Sequence, residues 1–182
     1  MKKVALITGG GSGIGRALAK TLAEKDLQVY IIGRRTDKLK ETQYLAPNHI
    51  IPIAADIATT EGRYSVVKLL ANQSIHYLVH NAAIVEPLKT IDKITLEEWH
   101  HLIAINLEGP LFLTQLFLPL FVKGSRILNI SSGLAHRAFL GTAAYSISKS
   151  ALHMLYQVWN EELSSRGILA GSIQPGAVDT EM

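Results

Sequence analysis

The feature that most constrains the fold is a glycine-rich segment near the N-terminus that separates two different hydrophobic patterns. Residues 4–7 form a short, wholly apolar run, and residues 8–15, which follow it, contain five glycines. From residue 16 to residue 25 the apolar side chains recur at helical spacing. This order predicts a buried strand, a tight turn and an amphipathic helix.

The spacing of these glycines predicts a site for a dinucleotide diphosphate. Glycine lets the backbone turn sharply and approach a pyrophosphate closely, while the start of the helix presents free N–H groups to the anion. The pattern here is T-G-x-x-x-G-x-G rather than the strict G-x-G-x-x-G. The alternative, a plain flexible loop, does not explain why the helical pattern begins immediately after Gly13.

The rest of the chain repeats the alternation of strand and helix. Apolar runs recur at residues 29–32, 50–55, 77–79, 127–130 and 168–173, and helical patterns lie near residues 59–72, 95–122 and 145–166. Such alternation predicts parallel strands joined by right-handed crossovers, and wholly apolar strands predict a sheet covered on both faces. We therefore expect an α/β fold with a doubly wound parallel sheet, formed by residues 1–182 as a single domain. Pro119 should end or bend the helix that begins near Leu96.

Two arginines follow the second predicted strand and indicate which cofactor the site selects. An acidic residue about twenty residues past the glycine turn binds the ribose 2′-hydroxyl of NAD, whereas arginine there accommodates the 2′-phosphate of NADP. Gly33 stands where the acid is expected, and Arg34 and Arg35 follow it. Because a guanidinium gives a phosphate charge-assisted hydrogen bonds, we predict NADP(H) in preference to NAD(H). The alternative is a pair of surface arginines at a strand end. Asp37 is expected at the cap of the next helix.

A tyrosine and a lysine one helical turn apart give the chain its candidate chemistry. Tyr145 and Lys149 share a face of a predicted helix, and Ser132 lies thirteen residues before the tyrosine. An ammonium beside a phenol favours the phenolate, so we expect Lys149 to lower the pKa of Tyr145. The alternative is a half-buried tyrosine beside a solvated lysine on an ordinary helix.

In combination these motifs resemble the short-chain dehydrogenase/reductase family, and the resemblance spans nearly the whole chain. It rests on the turn at residues 8–15, Asp56-Ile57, Asn81-Ala82-Ala83, Asn106, Ser132, Tyr145, Lys149, Pro175-Gly176 and Thr180. The resemblance implies a catalytic domain with a Rossmann fold, helices on both faces of the sheet, and NADP(H)-dependent hydride transfer between a small carbonyl compound and an alcohol. Family members continue with a substrate lid, a further helix and a last strand. We expect these to be missing from a chain that stops at Met182.

The resemblance also implies roles for the candidate catalytic residues. Tyr145 would pass a proton to or from the substrate oxygen, and Lys149 would lower its pKa and bind the nicotinamide ribose. Ser132 would hydrogen-bond the substrate oxygen as negative charge develops on it, with Ser131 beside it as an alternative. Asn106 would hold a water of the proton relay, and the alternative is a helix-interior amide that satisfies a kink.

A larger set of residues matches the cofactor contacts of the family. It comprises Thr8, Gly9, Gly11, Ser12, Gly13, Ile14, Gly15, Arg34, Arg35, Asp56, Ile57, Asn81, Ala82, Ala83, Tyr145, Lys149, Pro175, Gly176, Val178 and Thr180. The resemblance assigns Asp56 to the adenine, Asn81 to the adenine ribose and Thr180 to the nicotinamide carboxamide. The chain departs from the usual Asn-Asn-Ala-Gly of the family at His80 and Ala83.

Narrower inferences concern the substrate and the assembly. Residues 131–136 and 175–182 resemble the sepiapterin and benzil reductase branch of the family, which implies a vicinal dicarbonyl substrate. The segment at residues 111–118 is apolar nearly all round, and the resemblance implies that it pairs with its copy in a homodimer or homotetramer. The alternative is a helix buried within a complete monomer.

Composition argues against several other classes of protein. The chain has no cysteine, which suits a cytoplasmic location and excludes disulfides and a thiol nucleophile. Its net charge of +3 comes without a stripe of basic and aromatic residues, so we predict no nucleic-acid partner. The apolar run at residues 111–122 falls short of the about 20 residues of a membrane span, so we predict no membrane partner.

Competing mechanisms fit the sequence poorly. His76 and His80 have the spacing of helical zinc ligands but lie on a predicted strand, where that spacing separates them by roughly 13 Å. Neither Ser12 nor Ser132 has both glycines of the G-x-S-x-G motif of serine hydrolases. A dinucleotide-binding sensor or scaffold without turnover is the more serious alternative, and the joint presence of the serine, tyrosine and lysine weighs against it.

Overall fold

Six parallel strands form one sheet within residues 2–176, the part of the chain that the computed structural model describes. They are β1 (Val4–Thr8), β2 (Gln28–Gly33), β3 (Ile50–Ala54), β4 (Ile75–His80), β5 (Phe121–Ile130) and β6 (Leu169–Ile173). Their order across the sheet is β3-β2-β1-β4-β5-β6, and each neighbouring pair is parallel. This is the strand order of the Rossmann fold, so the predicted doubly wound α/β sheet is confirmed.

Helices connect the strands and cover the sheet. They are α1 (Gly13–Glu24), α2 (Thr36–Gln43), α3 (Thr60–Leu69), α4 (Leu96–Ile103), α5 (Gly109–Phe117) and α6 (Ala143–Leu163). Leu6 packs in a cluster with Phe117 and Trp159, whereas its neighbour Ile7 packs in another cluster with Ala19. Because successive side chains of a strand point to opposite faces, the two clusters lie on opposite sides of the sheet. Helices therefore cover both faces, as the apolar strands predict.

The strand order reverses between β1 and β4, and this reversal positions the candidate site. From β1 the chain continues to β2 and β3, which lie toward one edge of the sheet. From β4 it continues to β5 and β6, which lie toward the other edge. Because the crossovers lead in opposite directions, a crevice opens outside the carboxyl ends of these two strands, where doubly wound sheets bind ligands. β1 is buried along its whole length, and its carboxyl end lies at the base of this crevice.

The helical segment predicted at residues 95–122 is interrupted. α4 is followed by one π-helical turn, Ala104–Glu108, then by α5 and by a 3₁₀ turn, Leu118–Leu120. Pro119 lies in that 3₁₀ turn, so the proline ends the α-helix as expected. The π turn was not expected.

The fifth strand is longer than the sequence predicts. β5 begins at Phe121 rather than at residue 127, because Phe121 pairs with Ile75 of β4 before the register of the two strands shifts. Lys123 and Gly124 interrupt the apolar pattern and so hide the first part of the strand.

The helical segment Leu96–Leu120, followed through its π-helical and 3₁₀ turns, is as long as a membrane span, whereas the apolar run at residues 111–122 is shorter; the absence of a membrane partner stays a prediction. Leu96–Leu120 comprises 25 residues with a mean hydropathy of 1.4, and 44% of its most apolar window is buried inside the protein. A core helix of a globular protein meets the same criteria of length and composition. Leu113 and Phe117 are fully buried in this stretch, and both pack in the cluster on one face of the sheet, as a core helix requires.

Candidate active site

A cavity of about 440 Å³ opens at the carboxyl ends of the strands and brings most of the predicted site residues together. Its walls include Thr8, Gly9, Gly11, Ser12, Gly13, Ile14, Arg34, Arg35, Asp56, Ile57, Asn81, Ala82, Ala83, Ser132, Tyr145, Lys149, Pro175 and Gly176. Gly15 and Asn106 lie behind these walls, and Val178 and Thr180 lie outside the described residues. Most of the predicted cofactor-binding residues, together with Ser132, Tyr145 and Lys149, therefore share one cavity.

The glycine turn is shaped by steric exclusion. Gly9 has a φ of +67° and Gly13 has a φ of +50°, both in the left-handed region that favours glycine. A Cβ on Gly9 would lie 2.9 Å from the Cα of Ala82, and a Cβ on Gly15 would lie 2.3 Å from the carbonyl oxygen of Gly9. Gly15 therefore lets α1 pack closely against the turn from behind.

The turn directs the start of α1 toward the cavity. The N–H of Gly9 donates a hydrogen bond to the carbonyl oxygen of Ile32 at 2.7 Å, which anchors the turn to the end of β2. α1 then begins at Gly13, with Ser12 in an extended backbone conformation at its N-cap. The first N–H groups of a helix have no carbonyl partner within the helix and lie at the positive end of its dipole. This arrangement fits a pyrophosphate.

Hydrogen bonds of Thr8 and Asn81 join the ends of the two central strands, β1 and β4, below the turn. The hydroxyl of Thr8 accepts hydrogen bonds from the backbone N–H groups of Asn81 (3.0 Å) and Ala82 (3.1 Å). The side-chain amide of Asn81 donates to the carbonyl oxygens of Thr8 (3.0 Å) and Gly9 (3.1 Å). Thr8 is fully buried, so its hydroxyl holds the cavity wall in place.

Arg34 and Arg35 are exposed at the rim of the cavity, directly after β2. The Nη2 of Arg35 donates a hydrogen bond to the hydroxyl of Ser12 at 3.2 Å, so this guanidinium lies beside the glycine turn. Arg35 is also the N-cap residue of α2, whereas Asp37 lies in the first turn. The expectation that Asp37 caps this helix is therefore wrong, because the helix begins one residue before it.

Asp56 and Ile57 follow β3 and form the adjoining wall of the cavity. The carboxylate of Asp56 accepts a hydrogen bond from the backbone N–H of Ala58 at 3.0 Å, which fixes the start of the loop. Ile57 is buried. These residues stand with the two arginines at the end of the cavity formed by β2 and β3, where the resemblance places the adenine half of the cofactor.

Tyr145 and Lys149 lie on one face of α6 and line the same cavity. Only 8% of Tyr145 and 3% of Lys149 are exposed. The Nζ atom of Lys149 donates a hydrogen bond to the carbonyl oxygen of Ile130 at 2.9 Å and lies 5.6 Å from the centre of the Tyr145 ring. The alternative of a solvated lysine on an ordinary helix is therefore wrong.

Burial, rather than the neighbouring charge, dominates the pKa of both groups. Burial raises the pKa of Tyr145, and a hydrogen bond with Ser132 offsets part of that rise. Burial also lowers the pKa of Lys149 to about 8. The expected lowering of the Tyr145 pKa is therefore not the net result, because loss of water disfavours the phenolate more than the hydrogen bond with Ser132 favours it. The phenol keeps its proton at neutral pH.

The two adjacent serines after β5 have different partners. Ser132 is the N-cap residue of a short 3₁₀ turn, Gly133–Ala135, and its hydroxyl accepts a hydrogen bond from the N–H of Leu134 at 3.2 Å. It also hydrogen-bonds Tyr145. The hydroxyl of Ser131 is buried without a hydrogen-bond partner among the described residues. Of the two serines, Ser132 is therefore the one bonded to the phenol.

Asn106 lies in the π-helical turn and ties α6 to the loop after β4. Its Oδ1 accepts a hydrogen bond from the N–H of Ile84, and its Nδ2 donates to the carbonyl oxygen of Ile84, both at 2.9 Å. The same Nδ2 donates to the hydroxyl of Ser148 at 3.1 Å, and Ser148 donates to the carbonyl oxygen of Tyr145 at 2.7 Å. These contacts join the π turn to its neighbours, and none of them reaches the backbone of the turn itself, so the alternative of an amide that satisfies a kink stays a prediction. A role in a proton relay stays a prediction.

The two histidines of β4 are structural. His80 is 2% exposed, and its Nε2 lies 2.7 Å from the hydroxyl of Thr114. Burial lowers the pKa of His80 to about 3, so the imidazole is neutral. The Nδ1 of His76 accepts a hydrogen bond from the N–H of Val4. Residues 2–176 contain no cluster of three or more His, Cys, Asp or Glu side chains that could hold a metal ion.

Sequence reasoning missed some residues of the cavity wall, among them Lys38, Ile84 and Val85. A signal for each was present. Lys38 follows Arg35 by about one helical turn, and Ile84 and Val85 come directly after the Asn81-Ala82-Ala83 motif. Extending each motif by a few residues would have included them.

Comparisons with known proteins agree with this geometry. The family model for short chain dehydrogenases matches residues 3–182. An uncharacterized oxidoreductase of Staphylococcus epidermidis is 30% identical over 184 residues, an alignment that covers 100% of this chain and 80% of that relative. The match therefore extends over the glycine turn, the central strands and α6.

Solved structures with bound cofactors share the fold. A metagenomic short-chain oxidoreductase in complex with NADP has a TM-score of 0.90 at 29% identity, over 97% of this chain and 83% of that one. A 3-ketoacyl-(acyl-carrier-protein) reductase from Brucella melitensis, complexed with NADH, has a TM-score of 0.93 at 26% identity, over 98% of this chain and 77% of that one. On the family match, the relatives and the strand order, this chain belongs to the short-chain dehydrogenase family of oxidoreductases.

Proposed function

We propose that the protein is an NADP(H)-dependent enzyme that interconverts a small ketone or diketone and the corresponding alcohol. One observation carries this proposal: a single cavity is lined both by a glycine turn with two arginines at its rim and by a buried Tyr145 and Lys149 beside Ser132. The first feature fits a phosphorylated dinucleotide, and the second fits transfer of a proton to an oxygen atom.

The cavity residues fit the cofactor in shape and charge. At Gly9 and Gly15 the backbones approach so closely that a Cβ would collide, which is the close packing a pyrophosphate turn needs. Arg34 and Arg35 place positive charge at the rim, where a 2′-phosphate distinguishes NADP from NAD. Because one similar structure carries NADP and another carries NADH, the preference for NADP(H) rests on these two arginines.

The catalytic residues supply the proton of the reaction. A bound nicotinamide would supply the hydride to the carbonyl carbon in the direction of reduction. As negative charge develops on the carbonyl oxygen, the hydroxyl of Ser132 and the phenol of Tyr145 donate hydrogen bonds to it. Tyr145 then transfers its proton to that oxygen, which yields the alcohol. The phenol holds its proton at neutral pH, so it is present in its acid form when the oxygen becomes negative.

Lys149 stabilises the charge that this proton transfer leaves behind. The phenolate of Tyr145 forms in a site that excludes water, and the Lys149 ammonium, 5.6 Å from the ring centre, offsets part of the cost of the buried negative charge. One N–H of the ammonium is held by the carbonyl oxygen of Ile130. An ammonium has three donors, so the other two can bind ribose hydroxyls or water.

The substrate class follows from the walls near the phenol. Ile84 and Val85 add apolar side chains to the same cavity, which suits an uncharged carbonyl compound. A vicinal dicarbonyl, as the resemblance to the sepiapterin and benzil reductase branch implies, belongs to this class. We therefore include diketones first among the candidate substrates.

A homodimer or homotetramer in the cytoplasm is part of the proposal. Phe112 on α5 and Ile147, Met154 and Val158 on α6 are exposed apolar side chains, with exposed fractions between 39% and 56%. Burying such side chains against a second copy would be favourable. Sizing of the protein in solution would test this point independently of catalysis.

The test of the proposed function is NADPH oxidation with a panel of small ketones, vicinal diketones and quinones, with NADH measured in parallel. We expect turnover with at least one diketone, faster with NADPH than with NADH. Tyr145→Phe should lower kcat by roughly 100-fold or more because it removes the hydroxyl that carries the transferable proton, while the glycine turn and the arginines should still bind NADPH.

Tyr156→Phe is the matched control, because Tyr156 lies on the same helix but contacts the ring of His153. This control should retain activity. Binding of NADPH without its oxidation, together with no effect of Tyr145→Phe, would instead indicate a sensor or scaffold.

A further inference from the structure

Arg16 joins the glycine turn to α2. This residue lies in the first turn of α1, and its Nε donates hydrogen bonds to the carbonyl oxygen of Gly11 and to the hydroxyl of Thr42, both at 3.1 Å. Its Nη2 donates to the carbonyl oxygen of Gly11 and to the carboxylate of Glu41, the latter at 2.8 Å. One guanidinium thus holds the middle of the turn and the last part of α2 at once.

The groups that Arg16 binds on α2 are themselves fixed. Thr42 is fully buried, and its hydroxyl donates to the carbonyl oxygen of Lys38 at 3.2 Å. Glu41 also pairs with the ammonium of Lys38 at 3.1 Å. Because a planar guanidinium offers several donors in a rigid fork, these bonds define an orientation as well as a distance.

The turn and α2 are also in direct contact. A Cβ on Gly11 would lie 3.1 Å from the Cβ of Lys38, so no side chain fits between the two elements without displacement. Arg35, at the N-cap of α2, reaches Ser12 of the turn. A tilt or shift of α2 therefore moves Arg35, its N-cap residue, relative to the turn.

We infer that Arg16 is a positioning residue for cofactor discrimination. It sets the distance between the site for the pyrophosphate and the arginines that would receive the 2′-phosphate, and this inference rests on the proposed NADP(H) site. NADPH carries both groups on one molecule, so its affinity depends on that distance. NADH lacks the 2′-phosphate, so its affinity does not depend on the distance between the turn and the arginines.

Arg16→Met tests this inference through the Kd values for NADPH and NADH, measured by titration of the full chain. We expect the preference for NADPH over NADH to fall roughly tenfold, with a smaller change in the Kd for NADH. Thr42→Val removes one of the acceptors on α2 and should lower the preference in the same direction by a smaller factor. It serves as the second test if Arg16→Met does not fold.

Lys20→Met is the matched control, because Lys20 lies one turn further along α1, is exposed, and pairs only weakly with Glu24 at 3.8 Å. It should leave both Kd values unchanged. Equal losses for the two cofactors in Arg16→Met, or an unchanged preference in both variants, would overturn the inference while leaving the NADP(H) assignment intact. A wild-type protein that prefers NADH would overturn the assignment and the inference together.

Discussion

At the glycine turn the cavity is defined by backbone contacts, whereas at the catalytic end it is defined by the burial of ionisable groups. The Cβ positions of Gly9 and Gly15 are already occupied by other atoms, so these positions admit only glycine. After β5 the chain is looser, since a Cβ on Gly133 would have no atom within 4 Å. At that end the defining feature is that Tyr145 and Lys149 are buried away from water.

This difference has consequences for how each region responds to change. A site held by close backbone contacts fails when any one contact is blocked, because the neighbouring backbone cannot move aside. A site made of buried ionisable groups has a cost in stability that depends on pH, and removal of such a group can stabilise the protein while removing function. The following predictions test that distinction.

The largest expected effect is on the glycine turn. Gly15→Ala would place a methyl group 2.3 Å from the carbonyl oxygen of Gly9, so the turn must open. We expect the affinity for NADPH to fall by roughly 100-fold or more, a loss of about 3 kcal/mol, in a fluorescence titration. Gly133→Ala is the matched control and should bind NADPH normally. Equal affinities for the two variants would contradict a sterically defined turn.

A smaller effect is expected from Lys149→Met. This variant should lose activity but gain stability. Folding lowers the pKa of Lys149 from 10.5 to about 8, so below about pH 8 the folded protein holds a buried ammonium that water would solvate better. The variant should therefore be more stable than the wild type near pH 7, by about 2 kcal/mol after the lost hydrogen bond to Ile130 is included. Its carbonyl reduction should be severely impaired.

The pH dependence of that stability difference follows from linkage. Between about pH 8 and pH 10.5 the unfolded wild type binds the lysine proton and the folded protein does not, so wild-type stability rises with pH and the difference closes. Urea unfolding of both proteins across this range measures it. Lys68→Met, at an exposed position on α3, is the control. A difference that does not change with pH would show that burial of the charge is not the cause.

A third prediction concerns His80, the buried last residue of β4. Its pKa is lowered from 6.5 to about 3, so in that range the unfolded chain binds a proton that the folded protein does not. Stability should therefore fall as the pH falls, by about 1.4 kcal/mol per pH unit for this one group. His80→Asn should reduce the slope of unfolding free energy against pH by that amount. His101→Asn, at an exposed position, is the control.

The same contrast explains which features could be predicted from the sequence. The parallel strands and the glycine turn were predictable because apolar patterns and glycine spacing directly reflect strand burial and backbone contact, as at Gly9 and Gly15. The grouping of Tyr145 and Lys149 was predictable because residues four apart share a face of a helix. These inferences need only local geometry.

Features that depend on the tertiary surroundings could not be predicted. The π turn at Ala104–Glu108 has no local signal, and its Asn106 side chain binds the backbone of Ile84, which lies 22 residues earlier in the chain. The predicted direction of the Tyr145 pKa shift was wrong. The sequence shows which charged residue is near the phenol, but not how much water the phenol loses on folding. The start of β5 at Phe121 depends on pairing with Ile75, far away along the chain.

The most direct test of the proposed catalytic site is the pH dependence of kcat/KM for NADPH in carbonyl reduction, which reports ionisations of the free protein. If Tyr145 supplies the proton and charged Lys149 is needed beside it, the value is constant near neutral pH and falls about tenfold per pH unit above about pH 8. In Tyr145→Phe it is lower by roughly 100-fold or more at each pH. A profile that stays flat through pH 8, or a Tyr145→Phe variant as active as the wild type, would contradict the account.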